Sequence, residues 1–188
     1  MRIVVGITGA SGAIYGIKLL QQLKNMKIET HLILSKWARR TIELETEHTP
    51  DSLSQLADCC YEADDQAAPV SSGSFLHQGM VIVPCSMKTL SAVAHGYTDN
   101  LISRAADVTI KENRKLILVP RESPLSSIHL ENMLKLASLG VTVMPPMPAF
   151  YHKPKTIEEL VLHTIGRILD HLAIDHDISH RWTGLSHK

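Results

Sequence analysis

The chain has no excess of charge of either sign. Its 19 lysines and arginines are balanced by 19 aspartates and glutamates. A neutral surface gives no reason to expect nucleic acid or an anionic membrane as partner. Aromatic residues make up only 4% of the sequence, too few for a platform on which bases would stack. Three cysteines, Cys59, Cys60 and Cys85, form no framework spacing, and the odd count points to a reduced, cytoplasmic compartment. No apolar run is long enough to span a bilayer. The N-terminus enters a strand at once, which leaves no room for a signal peptide. There is no Gly-Lys-Ser/Thr phosphate loop and no Cys-x-x-Cys pair. The Asp64-Asp65 pair lacks a third carboxylate at Ala68, so a magnesium motif for diphosphates is missing. His176 and His180 have helical metal spacing but lie in a polar tail, and no metal is expected.

What the chain does have begins at residue 6. The stretch from Gly6 to Gly16 follows the apolar run Ile3-Val4-Val5 and leads into Ile14, Ile17, Leu19, Leu20 and Leu23 at helical spacing. It reads as strand, tight turn, helix. Free N–H groups at such a helix start favour an anion, most often a phosphate, and Thr8 and Ser11 add hydroxyls. The alternative is a glycine turn chosen only for close packing of helix on sheet. The dinucleotide fingerprint does not fit, because the glycines fall at 6, 9, 12 and 16. The second strand, 30–34, ends at Ser35-Lys36 with no acidic residue for a ribose. A hydroxyl and an ammonium suit a phosphate monoester.

Further on, a helix is expected over 36–45, with Glu43, Glu45 and Glu47 near its end, then a short helix over 52–60. Residues 61–78 are polar and small around Ser71-Ser72-Gly73-Ser74, either a linker or a loop folded around a ligand; their length favours the loop. Met80–Val83 is a central strand, followed by Cys85, Ser86, Met87, Lys88 and Thr89, a second hydroxyl-rich turn. Cys85 reads as a nucleophile or as a small buried filler. Asp99 or Asn100 caps a helix to about 112, and a strand over 115–119 runs into Arg121-Glu122. Glu122 is a candidate acid/base or simply the ion-pair partner of Arg121. A helix over 126–139, a strand over 141–144 and a last helix over 156–172, with Thr156 and Glu159 as a capping box, complete the pattern. Strands alternate with helices, which predicts a doubly wound, mostly parallel α/β sheet covered on both faces. The unusual segments all fall at carboxyl ends of strands, where such sheets bind ligands. Residues 1–175 are read as a single domain and 176–188 as a tail.

Taken together these segments resemble the flavin prenyltransferases of the UbiX type, in the branch that goes with phenylacrylic and hydroxyarylic acid decarboxylases. The resemblance rests on the motifs at 6–12, 35–36, 84–89, 104–107, 119–122, 128–134, 145–151 and 181–182. It implies a three-layer, Rossmann-like flavoprotein that joins the dimethylallyl group of dimethylallyl monophosphate to reduced FMN. The product, prenylated FMN, serves a separate UbiD-type decarboxylase. By resemblance FMN is held by Gly9, Ala10, Ser11, Ser35, Ser86, Met87, Lys88, Thr89 and Arg121, with Arg104 nearby. The prenyl phosphate falls to Lys111, Arg121, Tyr151 and Arg167, with Trp182 beside them. Glu122 exchanges protons with the leaving phosphate, Ser11 joins the catalytic set, and Glu45 reaches the flavin from a neighbouring subunit. A homododecamer is implied. The alternative is an FMN-dependent decarboxylase acting directly on a phenolic acid.

Overall fold

Alternation of apolar β-branched runs with amphipathic stretches gives alternating strands and helices. The computed structural model describes residues 1–179, 181, 182 and 184. In chain order it contains β1 (Arg2–Ile7), α1 (Ala13–Asn25), β2 (Glu29–Leu34), α2 (Lys36–Glu45), α3 (Pro50–Ser54) and β3 (Cys59–Glu62). There follow β4 (Gly79–Cys85), α4 (Met87–Ala94), α5 (Leu101–Lys111), β5 (Lys115–Pro120), α6 (Ser127–Ser138), β6 (Thr142–Val143) and α7 (Ile157–His171). The backbone groups into two units, one of Met1–Pro146 and one beginning at Met147.

The first unit holds a six-stranded sheet in the order β3-β2-β1-β4-β5-β6, and every pairing is parallel. The order reverses between β1 and β4, so their carboxyl ends flank the switch point. Side chains of a strand alternate between faces. On one face Val4, Ile33, Met80, Ile82 and Leu118 pack with Leu90, Leu101, Ile102 and Ala105 of α4 and α5. Their neighbours Ile3, Val5, Leu32, Val81 and Ile117 are equally buried, so the opposite face is covered too. This is the doubly wound α/β sheet expected from the sequence, with no antiparallel strand among the described residues.

Two expected elements differ. The helix expected over 52–60 ends at Ser54, and Cys59–Glu62 is instead an edge strand on β2. Its four residues alternate between half-buried and exposed, and Asp58 Oδ2 accepts the N–H of Thr30 at 2.8 Å, docking the strand's start. The capping box at α7 is half formed. Thr156 Oγ1 accepts the N–H of Glu159 at 3.2 Å, but the Glu159 carboxylate accepts from Lys155 N. The 61–78 segment folds on two guanidinium groups rather than lying free. Arg104 Nε donates to Ser71 O at 3.1 Å, and Arg114 donates to Gly73 O and Phe75 O at 2.6 and 2.7 Å.

Candidate functional site

Thr8 follows β1 directly, and its side chain joins the two strands at the switch point. Its Oγ1 donates to Pro84 O and accepts the N–H of Ser86, both at 2.8 Å. The hydroxyl expected to serve a ligand is therefore engaged within the protein. Ser35 is tied to the same end of β1, since its N–H donates to Ile7 O at 3.0 Å. The turns after β1, β2 and β4 thus meet at one edge.

Two helix N-termini open there. Ser35 caps α2 and Ser86 caps α4, each accepting an N–H from three residues on, Ala38 and Thr89 respectively. The Ser35 hydroxyl accepts in this bond, so its own proton stays free for a ligand oxygen. The Ser86 proton goes to Thr89 Oγ1 at 3.1 Å, which leaves the Thr89 proton free in turn. Lys36 and Lys88 add ammonium groups, Lys88 Nζ standing 3.5 Å from Asp99 Oδ2, and Gly9, Trp37, Asp64, Asp99 and Asn100 also line this cavity of about 410 Å³. Two helix dipoles and the free hydroxyl protons of Ser35 and Thr89 at one cavity, with Lys36 and Lys88 in its lining, fit a phosphate monoester such as that of FMN, away from the Asp64 and Asp99 carboxylates. Gly9 is required for packing as well, because a methyl built on it would overlap Cβ of Trp37. The packing reading of the glycine turn fits Gly9.

The first turn of α1 carries no phosphate-like cradle open to a ligand. Gly12, at a φ of 102° that only glycine adopts freely, starts the helix without a side-chain cap. Glu45 supplies it: Oε2 accepts the N–H groups of Gly12 at 2.8 Å and Ala13 at 3.1 Å. Partial burial works against the charge of Glu45. Hydrogen bonds from Ser11, Gly12 and Ala13 and the positive charge of Arg121 outweigh it and hold the pKa below the usual carboxylate range. Glu45, expected to reach a flavin across a subunit boundary, is bound to Ser11 and α1 of its own chain.

Arg121 N–H donates to Cys85 O at 3.2 Å, which sets Arg121 and Glu122 beyond the ends of β4 and β5. Glu122 is exposed, and its Oε1 accepts the N–H of Ser123 at 2.9 Å. Among the described residues no ion pair joins it to Arg121. Cys85 is buried completely and its thiol pKa is pushed far up by that burial, so it is a core filler and no nucleophile.

Several expected ligand residues are not among those lining this cavity. Ala10 is buried and Met87 packs partly against the core beneath α4. Arg104 holds Ser71 O and Asp107 Oδ2, so it acts as a latch on the 61–78 segment. Lys111 ends α5 and Arg121 follows β5. The helix runs opposite to the strand that follows it, so the two cations sit at opposite ends of the sheet, ~20 Å apart by the length of a six-residue strand. Tyr151, Arg167 and Trp182 belong to the second unit. There Tyr151 Oη meets His163 Nε2 at 2.7 Å and its ring meets Trp182 edge-on at 5.8 Å. Arg167 pairs with Asp170 at 3.0 Å, and Arg181 and His176 share that carboxylate. His180 lies outside the described residues. No group of three or more His, Cys, Asp or Glu among the described residues is placed to hold a metal. No helix of the described residues is long and apolar enough to cross a membrane.

Sequence reasoning passed over Trp37 and Asn100 as rim residues. Trp37 had a signal, a large aromatic one residue past the Ser35-Lys36 pair. Asn100 was read only as a helix cap.

The family model described as Flavoprotein matches residues 1–171. The flavin prenyltransferase LpdB of Lactiplantibacillus plantarum is 56% identical over 184 residues, 97% of this chain and 98% of that protein. A crystal structure described as a dodecameric FMN-dependent UbiX-like decarboxylase from Escherichia coli O157:H7 superposes with a TM-score of 0.96 at 54% identity, covering 98% of this chain and 100% of the other. The crystal structure of AnUbiX in complex with FMN and dimethylallyl pyrophosphate superposes with a TM-score of 0.97 at 52% identity, covering 98% of each chain.

Proposed function

The chain belongs to the flavoprotein family, among its UbiX-like flavin prenyltransferases, and on that premise we propose that it joins a dimethylallyl group to reduced FMN. The prenyl donor in this reading is dimethylallyl monophosphate, and the product is prenylated FMN for a UbiD-type decarboxylase. The observation that carries it is the meeting of two capped helix N-termini, Ser35 and Ser86, with Lys36 and Lys88 around one cavity. That cavity receives the FMN phosphate, with Gly9, Ser11 and Thr89 in the adjoining turns. FMN supplies the nucleophilic ring atoms, so the protein needs no covalent nucleophile of its own.

The remaining residues act on the prenyl phosphate. As the allylic C–O bond breaks, negative charge grows on the leaving oxygens, and fixed cations stabilise it. The resemblance gives that role to Arg121 and likewise to Tyr151 and Arg167, with Trp182 beside Tyr151. Glu122, held by a backbone N–H and free of an ion pair with Arg121 among the described residues, exchanges the proton with the phosphate. Lys111 reaches the same phosphate only from another copy of the chain, because its own Arg121 is at the far end of the sheet. A site shared between copies fits a homo-oligomer, and the E. coli relative is described as a dodecamer. By this reading residues 1–175 work as one domain, the family match covering residues 1–171, and the enzyme acts in the cytoplasm.

The test is anaerobic incubation with reduced FMN and dimethylallyl monophosphate, with the diphosphate in parallel, followed by the mass of the flavin. A gain of one prenyl unit is expected. Unmodified flavin with both donors overturns the proposal, and carbon dioxide release from a hydroxycinnamate by this chain and FMN alone would favour direct decarboxylation instead.

A further inference from the structure

Tyr151 is 48% exposed and is flanked by three rings of its own unit. Its ring meets His152 edge-on at 5.4 Å, His163 at 5.5 Å and Trp182 at 5.8 Å. Its hydroxyl is held by His163, with Oη 2.7 Å from Nε2. His163 is 9% exposed and lies flat on His152, the ring planes 7° apart and the centroids 4.8 Å apart. The stack fixes the plane of the imidazole, and the imidazole fixes the position of the hydroxyl.

We propose that His163 is a positioning residue for the prenyl phosphate: its Nε2–H donates to Tyr151 Oη and leaves the tyrosine's own proton for a phosphate oxygen. The inference rests on the reading of Tyr151 as a phosphate ligand. A phenol has one proton to give and lone pairs that accept, whereas a phosphate dianion only accepts. If His163 took the tyrosine proton, Tyr151 would turn lone pairs towards the anion and repel it. A neutral imidazole carries its proton on either nitrogen, and a bound phosphate selects the form with Nε2–H. Burial, and then the charges of His152 and Arg167, lower the pKa of His163 and favour this neutral form. Arg167 lies one helical turn beyond His163 on α7, so the guanidinium, the imidazole and through it the hydroxyl come from one rigid element.

Paired variants separate hydrogen bonding from packing. His163→Phe keeps a flat ring on His152 and removes the nitrogen; His163→Gln restores a donor without the ring. With FMN saturating and dimethylallyl monophosphate varied, His163→Phe is expected to raise KM by about 10-fold with little change in kcat. His163→Gln is expected to restore most of the affinity. In a Tyr151→Phe background, which by itself should raise KM, the His163→Phe change should add less than ~2-fold, because the hydroxyl it acts through is gone. Retention of FMN reports folding in each case. If His163→Phe does not fold, the Gln variant decides alone: a KM near the parent value supports the role and a 10-fold rise, of the size a lost hydrogen bond gives, overturns it. Tolerance of Phe together with loss in Gln, full additivity with Tyr151→Phe, or an unchanged KM in Tyr151→Phe overturns it as well. A parent chain that makes no prenylated flavin overturns the function itself; an active parent with any of those results overturns only the part given to His163.

Discussion

Glu45 closes the open start of α1 by accepting the N–H of Gly12 at 2.8 Å, across 33 positions of sequence. A carboxylate at a helix N-terminus is worth ~0.3–1 kcal/mol when exposed, from the unpaired N–H groups and the dipole behind them. Glu45→Gln is expected to lower stability at neutral pH by about that amount. The pH dependence follows from the lowered pKa of Glu45. A carboxylate depressed in the folded state adds stability above its unfolded value, ~4.3, and loses it as pH falls through the lower folded value. Between about pH 5 and pH 3 the Tm of Glu45→Gln should therefore fall less steeply than that of the parent. Parallel curves in a fluorescence melt would show that Glu45 carries no linked proton.

Gly9→Ala tests how closely the glycine turn rests on α2. The new methyl would overlap Cβ of Trp37, so the N-terminus of α2, with the Ser35 cap, must shift. Overpacking of this kind costs ~1–3 kcal/mol. A lower Tm and weaker FMN retention are expected, and Trp37→Gly should recover part of both. Equal FMN retention in Gly9→Ala would mean that the cavity tolerates movement of α2.

Glu122→Gln keeps size and hydrogen bonding but cannot exchange a proton. FMN retention is expected to stay near that of the parent, while prenyl transfer slows by roughly 10² or more. A single-turnover absorbance assay under anaerobic conditions reads the rate. Turnover at the parent rate would end the acid/base assignment, and since no ion pair with Arg121 is present among the described residues, it would leave Glu122 as a turn residue bound to Ser123.

Lys111 and Arg121 stand at opposite ends of one sheet, which gives a complementation test. Lys111→Ala and Arg121→Ala are each expected to lose most affinity for the prenyl phosphate. Co-assembled subunits carrying one change each would form some sites with both cations, so mixed oligomers should regain part of the activity. Mixtures no more active than the sum of the two variants would show that the cations do not share a site.

Much of the site was legible because its chemistry sits directly after strands. Ser35, Ser86 and the glycines announce themselves as small or hydroxyl residues where an apolar run stops. The doubly wound sheet was legible for the same reason, since each run of Ile, Val and Leu is long enough to be a strand. The edge strand β3 was not, because Cys59–Glu62 spans four residues and only its pairing with β2 gives it a shape. Thr8 looked like a ligand donor, but whether a hydroxyl meets a ligand or Pro84 O depends on which strands are neighbours. Glu45 and Lys111 show the same limit. Motif spacing gives residue types, while the end of the sheet at which each side chain emerges is set by the direction of its helix.

The adjacency of β1 and β4 reaches beyond ligand placement. Apart from Arg2, every residue of these two strands is buried, and they lie at the middle of the sheet with β3 and β6 at its margins. Amide hydrogens in such a centre exchange with solvent only when the whole sheet opens, whereas marginal strands open on their own. The turns at Thr8 and Ser86 are anchored to the slowest-exchanging part of the molecule. Deuterium should enter Cys59–Glu62 and Thr142–Val143 long before it enters Val4, Val5, Val81 or Ile82, and the cavity's floor should keep its shape through the local openings that loosen the margins.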